Sequence, residues 1–530
     1  MVDFDIFNVD TIIISSFLII NLIFGLFSSR GIKNIKEYAV GNRNFSTATL
    51  AATIIATWIG GSDFAISLSE TYKNGLWYVL AGTGYAFNLM VVAYIFSLRV
   101  ECFDGSISVA ETMGKLYGKS ARIITAITAI ASSIAVIAMQ IKVFSSIFNH
   151  FLGIASVYAT LASTFVVIVY SAFGGIKAVT FTDIIQFITF GVVIPIFATF
   201  IWQVLGDAES MGNILTHPLF DYHELMVFNS DRSFSYLSIF LCGLIPALNP
   251  TMFQRILMAK NTTQIRKSFV ISSLVCLSIY VITCFIGFVV FTHNPNLEPN
   301  NLAMYVIDTY SIAGIKSIAI IGIMAMIMST VDSWINTSSV IFSHDLCKPL
   351  GIEVKNELFL SRIFVIFIGI GSVLLTLNTD HLLELLFLSE NFYMPVVTVP
   401  LMLSILGFRS VTKAVLIAMF SGITMVIIWK YYIQPITGVE SVIPAMITNL
   451  ITLLLVHHFL KIPIIRIKKN QNLVTRKKSI NFNKLIFVFI NFDLLEYCRN
   501  KTPKNEMVYT YFAFSLMMTI VPVFSLDKST

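Results

Sequence analysis

Thirteen apolar stretches, each close to the length needed to cross a bilayer, recur along this 530-residue chain and leave few folds open to it. A hydrocarbon core of about 30 Å takes about 20 apolar residues per helix. The first seven stretches are Thr11–Ser29, Thr47–Tyr72, Leu76–Leu98, Ile123–Ile147, Ser156–Ala172, Thr182–Leu205 and Phe234–Met258. The other six are Phe269–Thr292, Ile312–Phe342, Arg362–Leu377, Leu382–Leu406, Ala414–Ile433 and Val442–His458. A last candidate helix, Val508–Leu526, stands apart behind a polar segment. Composition agrees: 56% of residues are apolar and 12% charged, against about 45–50% and about 25% in soluble domains. A disulfide scaffold, a disordered chain and a nucleic-acid-binding domain are excluded. The six cysteines form no CxxC pair and read as small apolar packing residues. The fold class is an all-α polytopic membrane protein.

Charge between the stretches alternates as the positive-inside rule requires. Clusters such as Arg30, Lys33, Lys36 and Arg43, then Lys115, Lys119 and Arg122, then Arg255, Lys260, Arg266 and Lys267 follow odd-numbered stretches. The intervening loops carry isolated cations, and the largest of them, Gly206–Ser233, is acidic. The N-terminus is therefore expected outside, in a plasma (inner) membrane, with the thirteenth helix ending inside at the basic run Arg466–Lys478. Asp3, Asp5 and Asp10 precede the first stretch where a cleaved signal peptide would carry a basic region.

A helix interrupted inside lipid survives only where it lines a cavity or a site, because every backbone polar group must find a partner. The second stretch carries such an interruption in Ala56-Thr57-Trp58-Ile59-Gly60-Gly61-Ser62-Asp63. Close helix packing explains Gly60 and Gly61 but leaves Ser62 and Asp63 without a reason, so a binding site is the preferred reading. The ninth stretch holds a second polar cluster, with Ser329, Asp332, Ser333 and Asn336 on one helical face beside Thr330. Hydroxyls from one helix and carbonyls freed from a broken one suit a hard cation such as sodium. Back-bonding to the preceding turn accounts for Thr337, Ser338 and Ser339. Asp183 reads either as a carboxylate at the start of the sixth helix, stabilised by its dipole, or as a functional group. Glu390 and Asn391, in mid-span before Pro395, read as cavity-facing. Arg255, after Asn249-Pro250, reads as an interface anchor.

These motifs resemble the sodium:solute symporter family. The carriers of the resemblance are Glu37–Arg43, Ala56–Gly61, Gly174–Val179 with Thr182, Asp183 and Gln186, Gln254–Asn261, and Ile327–Ser333. It spans roughly residues 10 to 460. The resemblance implies a LeuT-like inverted repeat of five plus five helices, helices two to six and seven to eleven. Residues 1–46 would hold the first helix and its loop, 47–406 the transport core, 407–460 two flanking helices, and 461–530 a basic cytoplasmic tail. It implies a sodium site made by the carbonyls of Ala56, Ile59 and Met326 with the hydroxyls of Ser329 and Thr330. A small organic solute would sit among Trp58, Gly60, Gly61, Ser62, Asp63, Gln140, Asn249, Glu390 and Asn391, with Asp183 and Asp332 as coupling candidates.

Sodium-driven uptake of a small organic solute is the leading reading. The alternative is a transporter-like sensor related to symporter–histidine kinase fusions, acting with a signalling kinase partner through the tail. No nucleophile–base pair, histidine cluster or phosphate loop inside the spans supports a membrane enzyme.

Overall fold

The computed structural model describes residues 9–28, 34–97, 105–152, 155–172, 175–207, 212, 214, 217–225, 231–299, 302–312, 314–352, 356–379 and 381–471. The expected helix Val508–Leu526 lies outside the described residues.

Helices form wherever the apolar stretches lie. The first part of the chain builds α1 (Val9–Ser28), α2 (Ile35–Val40), α3 (Thr47–Trp58), α4 (Gly61–Asn74) and α5 (Leu76–Val91). It continues with α6 (Val109–Tyr117), α7 (Lys119–Leu152), α8 (Ser156–Ala172) and α9 (Ile176–Leu205). Then come α10 (Asp231–Leu244), α11 (Pro250–Met258), α12 (Thr262–His293), α13 (Leu302–Tyr310) and α14 (Ile315–Val340). The last described helices are α15 (Glu357–Asn378), α16 (Leu382–Tyr393), α17 (Val399–Ile405), α18 (Thr412–Ile428) and α19 (Val442–Gln471). Among the described residues nine helices are long and apolar enough to cross a membrane, ten if α3 and α4 are one bent span. The first and fifth stretches are helical with shorter apolar segments, Ile12–Asn21 and Ser156–Val166.

Two differences from the expected boundaries bear on function. The seventh stretch is not one helix: it breaks at Ile245–Leu248 between α10 and α11, and Leu248 adopts a positive φ of 48°. Pro250 opens α11, and Asn249 caps it by accepting the Met252 N–H at 2.9 Å, a start in which Pro loses no helical hydrogen bond. The sixth helix begins at Ile176, after an extended Gly175. Asp183 therefore stands about two turns inside α9, not at its start.

The order of elements repeats. A broken helix (α3/α4), a long helix (α5), a short one (α6) and three more (α7, α8, α9) are followed by the same succession: α10/α11, α12, α13, then α14, α15 and α16 with α17. The two repeats interlock: α11, half of the second broken helix, packs on α3 and on the short α6, and the short α13 of the second repeat packs on α4.

The centre of the bundle is α14. Every residue from Gly322 to Val340 is buried, so it shows no amphipathic pattern, as expected of a helix enclosed all round. It packs on α3, α4, α7, α9 and α11. α15 and α18 instead expose Phe367, Leu374, Phe420 and Ile427, an apolar exterior suited to lipid.

Candidate functional site

The helical ladder of α3 ends where the N–H of Ile59 reaches Ile55 O at 3.0 Å. The next donor, the N–H of Gly60, turns instead to Asp63 Oδ2 at 2.8 Å. That deprives the Ala56 carbonyl of its helical partner. α4 leaves at 55° to α3, so the carbonyls at the end of α3 face its neighbour α14. Ser329 Oγ lies 2.8 Å from Ala56 O and 3.0 Å from Met326 O, and Thr330 Oγ1 lies 3.5 Å from Thr57 O. One hydroxyl hydrogen cannot serve two carbonyls fully, which leaves a cluster rich in acceptors. Ile59 turns extended (φ −98°, ψ 100°) and lines the adjoining cavity.

The two glycines of the break do different things. A Cβ on Gly60 would lie 2.3 Å from Gln140 Nε2, and one on Gly61 would lie 2.4 Å from Ile327 Cγ1 of α14. Gly61 thus permits close packing, and Gly60 lets α7 reach the break. Gln140 holds the start of α4 from both ends of its amide: Oε1 accepts the Ser62 N–H at 3.2 Å and Nε2 donates to Ser62 Oγ at 2.6 Å.

Beside the break lies a cavity of about 180 Å³. Trp58, Asp63, Gln140, Asn249 and Glu390 line it, together with Ile59, Met326 and Thr330 of the carbonyl–hydroxyl cluster. Gly60, Gly61, Ser62 and Ser329 are not among the described residues that line it. Asn391 is turned away and accepts from Ser441 Oγ at 2.8 Å, and Asp332 is buried on α14 outside the cavity wall. Glu390 accepts from Tyr85 Oη at 3.1 Å and from Cys242 Sγ at 2.8 Å.

Arg255 is no interface anchor. It is fully buried, and its Nη2 lies 2.9 Å from Thr57 Oγ1, 2.5 Å from Ser333 Oγ, 3.3 Å from Thr53 Oγ1 and 3.5 Å from Asp183 Oδ2. Thr53 Oγ1 also donates to Asp183 Oδ2, and Arg255 Nη1 donates to Gln254 Oε1 at 2.8 Å. Thr57 joins both clusters, its carbonyl facing Thr330 and its hydroxyl facing Arg255 and Ser333. The intramembrane charge was the one signal in the sequence that could have revealed this set.

Residues 38–422 match the model of the sodium:solute symporter family. The chain belongs to that family. Its similarity to human sodium-coupled monocarboxylate transporter 1 is 23% identity over 371 residues, 64% of this chain and 59% of that protein. The osmoregulated proline transporter OpuE of Bacillus subtilis is 25% identical over 479 residues, 84% of this chain and 94% of that one. Among solved structures, a substrate-bound, outward-open Na+-coupled sialic acid symporter superposes with a TM-score of 0.74 at 18% identity. The superposition covers 85% of this chain and 98% of that one. This likeness, with MhsT behind it at a TM-score of 0.53 and 14% identity, establishes the LeuT-like fold; the apolar spans and the family match make it an integral membrane protein.

Proposed function

We propose that the protein is a sodium-coupled symporter that takes up a small organic solute by alternating access. The observation that carries this reading is the meeting of Ser329 and Thr330 with the carbonyls released at the α3/α4 break, directly against a solute-sized cavity. Sodium, as co-substrate, would be held by the oxygens of Ala56, Ile59, Met326, Ser329 and Thr330. The solute would lie among Trp58, Asp63, Gln140, Asn249 and Glu390. Because sodium bridges α3 to α14, its binding fixes the bend from which Trp58 and Asp63 face the cavity. Solute and ion then each favour the other's binding, and the coupling is reciprocal. Each sodium entering with the potential contributes about 2.3 kcal/mol per 100 mV.

The carrier lies in the cell membrane with its N-terminus outside, consistent with the alternation of basic loops. Residues 47–406 form the transport unit, flanked by α1 and by α18 with α19.

Uptake by proteoliposomes tests the reading. An inward sodium gradient is expected to drive accumulation of at least one solute from a panel of amino acids, sugars, monocarboxylates and organic cations, whereas an equal potassium gradient drives none. Equal uptake of every solute in the two salts contradicts it.

A further inference from the structure

We propose that the solute is an organic cation, a small molecule bearing an ammonium group, selected by the two carboxylates of the cavity. This rests on the symport reading above and names the chemistry of its solute.

Asp63 and Glu390 enter the cavity from different helices, α4 and α16, and no Lys, Arg or His is among the described residues that line it. The lining therefore carries two formal negative charges and no positive one. Arg255 does not compensate them, because it is engaged below with Asp183. Both oxygens of Glu390 have partners within the protein, the Tyr85 hydroxyl at 3.1 Å and the Cys242 thiol at 2.8 Å, which fix the carboxyl against the cavity. Asp63 spends one oxygen on the Gly60 N–H.

Charge arithmetic then restricts the solute. Uncompensated charge inside a membrane protein is costly. One sodium at the neighbouring cluster balances one carboxylate, and a positive charge on the solute would hold the second in its ionised form. A carboxylate-bearing anion would add a third negative charge to a site that already holds two. The walls suit a cation independently: Trp58, Tyr78, Tyr85, Tyr280, Trp334 and Tyr393 all line the cavity. Aromatic faces attract ammonium groups, quaternary ones above all.

The test uses the purified full-length protein and its thermal unfolding, since a bound ligand raises apparent stability. Tetramethylammonium, choline and putrescine are compared with urea, glucose and pyruvate, each in sodium and in potassium chloride. At least one ammonium probe is expected to stabilise the protein in sodium, and none of the other three. Glu390→Gln is expected to raise the half-effective concentration of that probe in sodium at least tenfold. Stabilisation by urea, glucose or pyruvate overturns the charge assignment. So does failure of all three ammonium probes while sodium still stabilises, and that outcome leaves symport standing. Ammonium binding that is equal in both salts removes the symport reading and supports the charge assignment. If Glu390→Gln does not fold, the six-probe comparison on the unaltered protein decides alone.

Discussion

Arg255 and Asp183, 72 residues apart in the chain, meet at 3.5 Å with both side chains fully buried. Removing one member of such a pair strands the other's charge, at a cost of about 3–5 kcal/mol. Arg255→Met is therefore expected to destabilise the protein by about that much. The double variant Arg255→Met/Asp183→Leu should recover much of the loss. Denaturant unfolding in detergent measures both. A double variant as unstable as the sum of the two singles would show that the pair does not act as a unit.

The fit of Gly61 against Ile327 makes a second prediction. A methyl group placed 2.4 Å from Ile327 Cγ1 overpacks the contact between α4 and α14. Gly61→Ala should cost about 1–3 kcal/mol. Combined with Ile327→Ala it should cost less than the two singles added, by at least about 0.5 kcal/mol. Strict additivity in unfolding experiments would argue that the helices do not touch there.

How much of this was legible depended on whether the determining contact was local. The spans could be read because 20 apolar residues in a row have few alternatives to a membrane helix, and the first break because Gly60 and Gly61 sit beside Ser62 and Asp63. That Ser329 and Thr330 meet the broken helix follows from pairing the two polar clusters, whereas the Ala56 carbonyl is implied by the family resemblance. The break before Asn249 was missed because Pro250 is a good first residue for a helix, and so did not stand out from an apolar run. Asp183 was placed at a helix start because its partner is far away in sequence. The role of Arg255 was hidden for the same reason: its contacts on α3, α9 and α14 come from three helices distant in the chain. Ser338, read as back-bonding, does donate to Trp334 O at 2.6 Å.

Glu111, on α6, links stability to pH. Burial pushes its carboxyl up, but the Ile107 N–H at 2.8 Å and the Lys115 ammonium at 3.0 Å outweigh that and hold it below the ordinary value. A depressed carboxylate contributes stability above its unfolded pKa and loses it as pH falls through the folded one. The stability advantage of the unaltered protein over Glu111→Gln should be present at neutral pH. It should disappear as pH drops through and below the ordinary carboxylate range. Melting temperatures of the two across that interval test this; a gap that does not change with pH contradicts it.

Whether sodium is gripped between the α3 break and the hydroxyls of α14 is read by equilibrium binding of ²²Na+ to the purified protein. Ser329→Ala removes an oxygen of the cluster, whereas Ser338→Ala removes a hydroxyl of the same helix that bonds its own preceding turn. Ser329→Ala is expected to weaken sodium binding at least tenfold, about 1.4 kcal/mol, and Ser338→Ala to leave it unchanged. Sodium binding by Ser329→Ala as tight as that of the unaltered protein would contradict that grip.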